Sequence, residues 1–184
     1  MDDKEVCFKA LNEELAKNNM TLDIICVGGF VLEYHGLRGT KDVDAFYQDS
    51  FALEQIIEKV GEKYHINTSD ELWLNNSVAN MNDIPPISEC EKLYSYGHLT
   101  VYAPSLEYIL GMKAKSGRAQ DIEDMGEIIK HLRLTSPFEV QKLISANGLG
   151  YDFSDILEAF SLAYGMEWLE QFYIENQEEL GRYL

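Results

Sequence analysis

The chain has 184 residues, 46% of them hydrophobic and 11% aromatic, so it can bury a sizeable core and does not have the composition of a disordered segment. Its 32 acidic against 15 basic residues give a formal net charge of -17, which repels polyanions and disfavours a broad nucleic-acid-binding face. No apolar run approaches the roughly 18 residues of a membrane span, and the opening Met1-Asp2-Asp3-Lys4-Glu5 is acidic rather than a basic leader, so a cytoplasmic protein is expected.

In chain order, Val6, Ala10, Leu11 and Leu15 share one face of a helix expected over Lys4 to Asn18. Leu22 to Val27 is an apolar run rich in β-branched residues, broken only by Asp23 and stopped by Gly28-Gly29, and reads as a buried strand. A short helix follows over Phe30 to His35, then a strand over Asp42 to Tyr47 and a helix over Phe51 to Tyr64 with Gly61 as its weak spot. Asn67 to Pro86 reads as loop, with a helical turn around Trp73 to Val78. Lys92 to Tyr96 and Leu99 to Tyr102 flank Gly97-His98 as a hairpin, and Pro104-Ser105 caps a helix from Leu106. The remainder reads as helical, punctuated by Gly117, Thr135-Ser136-Pro137 and Asn147 to Gly150. The expected fold is α+β: a sheet-bearing core over 1–104 and a helical region over 105–184 packed on it.

Two features carry chemistry. Glycine at 28 and 29, between a strand and a helix, allows positive φ and bares backbone N–H groups toward an anion, although a plain tight turn gives the same pair. Asp42 and Asp44 lie two apart on one strand face, about 6 to 7 Å along the chain. Such a pair suits a divalent cation bridging to a triphosphate, or a solvated strand edge, or pairing with Arg38 and Lys41. Together, a glycine bend and an Asp-x-Asp strand 14 residues after Gly28 would put an amide cradle and two acids at one end of adjacent strands, a geometry that serves phosphoryl transfer.

Val27-Gly28-Gly29 followed by Gly36-Leu37-Arg38-Gly39-Thr40-Lys41-Asp42-Val43-Asp44 resembles the signature of the DNA polymerase beta superfamily of nucleotidyltransferases. It is most similar to small bacterial nucleotidyltransferase-like proteins related to AbiEii-type toxins of abortive-infection and toxin-antitoxin systems. Trp73-Leu74-Asn75 resembles a segment of that group, and Leu106 to Asp124 resembles its helix bearing Lys113, Arg118, Asp121 and Asp124. The resemblance spans roughly residues 22 to 135. It implies that Gly28 and Gly29 cradle nucleotide phosphates, with Arg38, Thr40 and Arg118 also in nucleotide binding. It further implies that Asp42 and Asp44 hold one or two Mg²⁺ ions and that Lys113 approaches the triphosphate, its alternative being a solvated helix lysine. Arg118, Asp121 and Asp124 read as a helix-surface ion network that fixes the hairpin onto the sheet, in preference to direct catalysis. Members of the superfamily commonly carry a third carboxylate on a later strand; Leu99 to Tyr102 offers Thr100 there, with Asp70, Asp83 or Glu89 as substitutes.

Other residues point to packing. Cys7, Cys26 and Cys90 are odd in number and widely spaced, and His35, His65, His98 and His131 are scattered, so zinc or redox chemistry is not indicated. Tyr94, Tyr96 and Tyr102 read as cross-strand packing rather than a base platform, and Phe160, Tyr164, Trp168, Phe172 and Tyr173 as helix packing, with a protein-partner interface through the C-terminal helices as the alternative. Two functions follow. One is an Mg²⁺-dependent nucleotidyltransferase moving a nucleoside monophosphate from a nucleoside triphosphate to a hydroxyl on RNA, protein or a small molecule. The other is a catalytically silent binding or regulatory protein of the same fold, such as one member of a toxin-antitoxin pair.

Overall fold

The structure, a computed structural model, describes residues 3–68, 71–76 and 83–183. The chain divides into two compact units, Met1–Ser105 and Leu106–Leu184. The first unit runs α1 (Asp3–Lys17), β1 (Leu22–Val27), α2 (Gly28–Tyr34), β2 (Val43–Phe46), α3 (Phe51–Tyr64), β3 (Leu74–Asn75), a 3-10 turn (Ile87–Glu89), β4 (Glu91–Ser95) and β5 (Leu99–Ala103). Its strands form one mixed sheet in the order β3-β2-β1-β5-β4, so the expected α+β class is borne out.

Alternation along the strands decides what each face does. Leu22, Ile24 and Cys26 of β1, Val43 and Ala45 of β2, Leu74 of β3, and Leu99 and Val101 of β5 join one buried cluster with Phe8, Leu11 and Leu15 of α1 and Leu53, Ile57 and Val60 of α3. The residues between them, Asp44 and Asn75 included, belong to the opposite face. Burying that set stabilises the unit by roughly 1.5–3 kcal/mol for each large side chain.

Two expected boundaries shift. The helix after β1 starts at Gly28 itself, which has φ +62, rather than at Phe30. The expected helical turn at 73–78 is instead the strand β3 at Leu74–Asn75; Ser77 and Val78 lie outside the described residues. Side-chain anchoring explains this strand. Trp73 is fully buried, and its indole N–H donates to the Ile57 carbonyl of α3 at 3.0 Å. The Trp73 N–H donates to Asn67 Oδ1 at 3.2 Å while Asn67 Nδ2 donates to the Glu58 carbonyl at 3.0 Å. The Asn67 amide lies directly over Gly61, where a Cβ would overlap it. Glycine at this position, an apparent weak spot in α3, is the seat for that side chain.

The second unit is helical: α4 (Leu106–Ser116), α5 (Ala119–Leu132), α6 (Pro137–Ala146), α7 (Phe153–Tyr164), α8 (Met166–Glu175) and α9 (Gln177–Leu180). The breaks fall at the expected punctuation, with Gly117 at φ +61 and Pro137 opening α6. Ile122, Met125, Ile128 and Ile129 form the buried face of α5, and Gly126 brings α5 so close to α7 that a Cβ would sit 3.1 Å from the Ala159 carbonyl oxygen. Phe160, Trp168 and Phe172 stack in series, with centroids 5.1 and 5.2 Å apart, while Leu162, Met166 and Ile174 stay exposed. Among the described residues no helix is long and apolar enough to cross a membrane.

Candidate functional site

The sheet brings the glycine bend and the acid pair together. β1 and β2 are antiparallel, with Val27 opposite Asp44, so the residue after Val27 lies against the Asp44 side chain. A Cβ built on Gly28 would stand 2.8 Å from Asp44 Oδ2. Any larger residue would displace the carboxylate, and an L side chain at φ +62 is strained besides.

Gly29 serves the other half of the site. A Cβ there would lie 2.9 Å from Thr40 Oγ1 and 3.2 Å from a terminal guanidinium nitrogen of Arg38. The Thr40 hydroxyl in turn donates to Asp42 Oδ1 at 3.0 Å. Gly28, Gly29, Arg38, Thr40, Asp42 and Asp44 therefore form one cluster at the end of β1, with both aspartates half-buried. Asp42 sits one residue ahead of β2 rather than inside it.

The loop carrying Arg38 and Thr40 is held by residues that the sequence pattern did not single out. Glu33 of α2 accepts the Thr40 backbone N–H at 2.7 Å, and Lys4 of α1 donates to the Thr40 carbonyl at 2.7 Å while lying 3.9 Å from the Glu33 carboxylate. Lys4 is only 8% exposed. Cys26, on the core face beneath, has its thiol pushed well up, first by burial and then by the Asp44 charge, and so is an inert packing group.

A family described as "Nucleotidyltransferase of unknown function (DUF6036)" matches residues 6–177. The chain belongs to that family. No curated protein and no solved structure matches it.

For a nucleotidyltransferase, the neighbours of the acid pair matter most. Thr100, expected on the third-acid strand, lies opposite Asp23 at the far end of β1, four residues from the Val27 row and so about 13 Å along the strand. The residue level with Asp44 on its other side is Asn75: β3 runs parallel to β2 with Asp44 opposite Asn75. Of the suggested substitutes, Glu89 is exposed in the 3-10 turn, Asp83 is half-buried, and Asp70 lies outside the described residues. Among the described residues no three His, Cys, Asp or Glu side chains are grouped to hold a metal. The donors beside the glycine bend are thus two carboxylates and a hydroxyl, all hard oxygens of the kind Mg²⁺ takes alongside phosphate.

Lys113 and Arg118 belong to the helical unit. Lys113 Nζ lies 2.6 Å from Asp121 Oδ1 and 2.7 Å from Asp124 Oδ2, with both aspartates almost completely buried, and Arg118 Nε donates to Asp121 Oδ2 at 2.6 Å. Lys113 is therefore not the solvated helix lysine of the alternative reading; with Asp121 and Asp124 it forms a buried network that ties α4 to α5, and the exposed Arg118 caps this network from the surface. Burial would raise the Asp121 pKa, but hydrogen bonds from Arg118, Lys113 and Ser116 outweigh it and hold the carboxyl below its ordinary 3.8.

Proposed function

We propose that the protein is an Mg²⁺-dependent nucleotidyltransferase that moves a nucleoside monophosphate from a nucleoside triphosphate to a hydroxyl acceptor on RNA, a protein or a small molecule. The single observation behind this reading is the register that sets Asp44 against the bare backbone of Gly28. Asp42, Asp44 and the Thr40 hydroxyl would hold the ion, and the Gly28-Gly29 backbone with Arg38 would receive the phosphates. When bound, Mg²⁺ supplies charge neutralisation for the triphosphate and for the leaving group.

The chain's own residues do the positioning. Glycine at 28 and 29 removes the side chains that would keep a phosphate from the backbone, and Thr40 orients the Asp42 carboxylate through its hydroxyl proton. Glu33 and Lys4 hold the Thr40 segment in place, which keeps the donor set preorganised. In the reaction the acceptor oxygen bonds to the α-phosphorus, the bond from that phosphorus to the bridging oxygen of pyrophosphate breaks, and the acceptor proton leaves to solvent.

A second reading, a catalytically silent nucleotide-binding protein acting as a regulatory subunit or toxin-antitoxin component, is favoured by one feature: the position level with Asp44 is a neutral amide. One experiment separates the two. Purified protein is given each α-labelled triphosphate, Mg²⁺ and cell extract, beside calorimetric titration of the same triphosphates. Label transfer lost in both Asp42→Asn and Asp44→Asn supports the enzyme. Binding without transfer under any acceptor supports the silent reading, and neither binding nor transfer sinks both.

A further inference from the structure

We infer that Asn75 is a further donor of the Asp42–Asp44 cation site, its side-chain amide oxygen standing beside the two carboxylates. The inference rests on the cation-site reading above and deepens it. Three observations carry it.

The first is register. Parallel pairing sets Val43 opposite Leu74 and Asp44 opposite Asn75. Val43 and Leu74 both enter the core cluster, so by strict alternation Asp44 and Asn75 rise together from the other face. Neighbouring strands lie about 4.7–4.9 Å apart, so level side chains on one face are within reach of one shared ligand.

The second is burial. Asn75 is only 9% exposed, although it sits on a two-residue edge strand. An amide placed there must be spent on neighbours within the fold rather than on bulk water.

The third is the investment in holding it. Two residues of parallel ladder cannot secure an edge strand alone. Here the strand is fixed from the residue before it: the Trp73 carbonyl accepts the Val43 N–H at 2.7 Å, its indole is locked to Ile57, and its own N–H is held by Asn67. This anchor immobilises the position immediately preceding Leu74-Asn75 and so keeps the Asn75 side chain level with Asp44.

An amide oxygen is a hard donor like a carboxylate, but neutral. With two acids rather than three, the site carries one negative charge fewer, so it holds a bare cation weakly and needs the charge of a polyphosphate to complete the set. The geometry thus points to joint loading of cation and nucleotide.

Manganese provides the probe, read by the loss of the free-ion spin-resonance signal, with and without a non-hydrolysable nucleoside triphosphate. It is applied to the full chain and to Asn75→Asp, Asn75→Ala and Asp44→Asn, each checked for folding by circular dichroism. Asn75→Asp should tighten Mn²⁺ binding without nucleotide by about tenfold and weaken its dependence on nucleotide. Asn75→Ala should loosen Mn²⁺ binding in the presence of nucleotide by about tenfold. If one of the two fails to fold, the other decides. Wild-type affinity in both Asn75 variants, alongside loss in Asp44→Asn, overturns the role of Asn75 and leaves the cation site standing. No Mn²⁺ binding by the unmodified chain under either condition overturns the cation site and this inference with it.

Discussion

Gly28 and Gly36 both have positive φ, +62 and +72, yet they should respond differently to alanine. At Gly36 nothing lies within 4 Å of an added Cβ, whereas at Gly28 the added atom meets Asp44 Oδ2 at 2.8 Å. Gly36→Ala should cost about 1–2 kcal/mol from backbone strain alone and leave Mn²⁺ affinity unchanged. Gly28→Ala should carry the same strain and also push Asp44 aside, lowering Mn²⁺ affinity by at least about tenfold. Urea unfolding and manganese titration on both variants check this; equal affinities would remove the close approach of Gly28 from the design of the site. Thr40 offers a finer probe, since Thr40→Ser keeps the hydroxyl on Asp42 Oδ1 and Thr40→Val does not. Only the valine variant should lose cation affinity.

At the scale of elements, α3 and β3 are coupled through one side chain. Alanine is a better helix former than glycine by about 1 kcal/mol, so propensity alone would make Gly61→Ala stabilising. Because the added methyl falls on the Asn67 amide, the variant should instead be destabilised by about 1–3 kcal/mol. Asn67→Ala should cost about 1–2 kcal/mol by freeing the Trp73 N–H and the Glu58 carbonyl. Combining the two removes the clash, so the double variant should be more stable than the sum of the single effects, and additivity in urea melts would rule the coupling out. In the helical unit, Lys113→Met leaves Asp121 and Asp124 buried without their shared cation and should cost about 3–5 kcal/mol. Triphosphate affinity measured on the folded fraction then reports whether Lys113 also serves the nucleotide. Wild-type affinity there would assign it to tying α4 to α5 alone.

Over the whole molecule, acid should unfold the protein through carboxyls held down by partners. Hydrogen bonds from Lys17 and then Lys59 bring the Glu14 pKa from its ordinary 4.5 to about 2, and Asp121 is likewise depressed. For a folded-state pKa below the unfolded value, the stabilisation is present above the unfolded pKa and is lost as pH falls through the folded one. The urea midpoint should therefore drop between about pH 4.5 and about pH 2, and less steeply in Lys59→Met, which removes the bridge from α1 to α3. What the sequence revealed follows the range of each interaction. The helices were legible because their apolar spacing is local, and the glycine bend with its Asp-x-Asp partner because both patterns fit within 17 residues, Gly28 to Asp44. The two-residue strand β3 was not, because a strand so short has no period and its position comes from a tryptophan anchored to a helix carbonyl 16 positions earlier. Asn75 stands out in the sequence only as part of the Trp73-Leu74-Asn75 segment, with no role attached, and Thr100, on the expected third-acid strand, lies opposite Asp23 at the far end of β1. Lys4 was invisible too, since a lysine near the start of an amphipathic helix ordinarily reaches into water. Its burial makes the ε-amine a reporter: acylation requires that Lys4 first leave the Thr40 carbonyl, so its rate of modification measures how often that contact opens with no substrate in the tube.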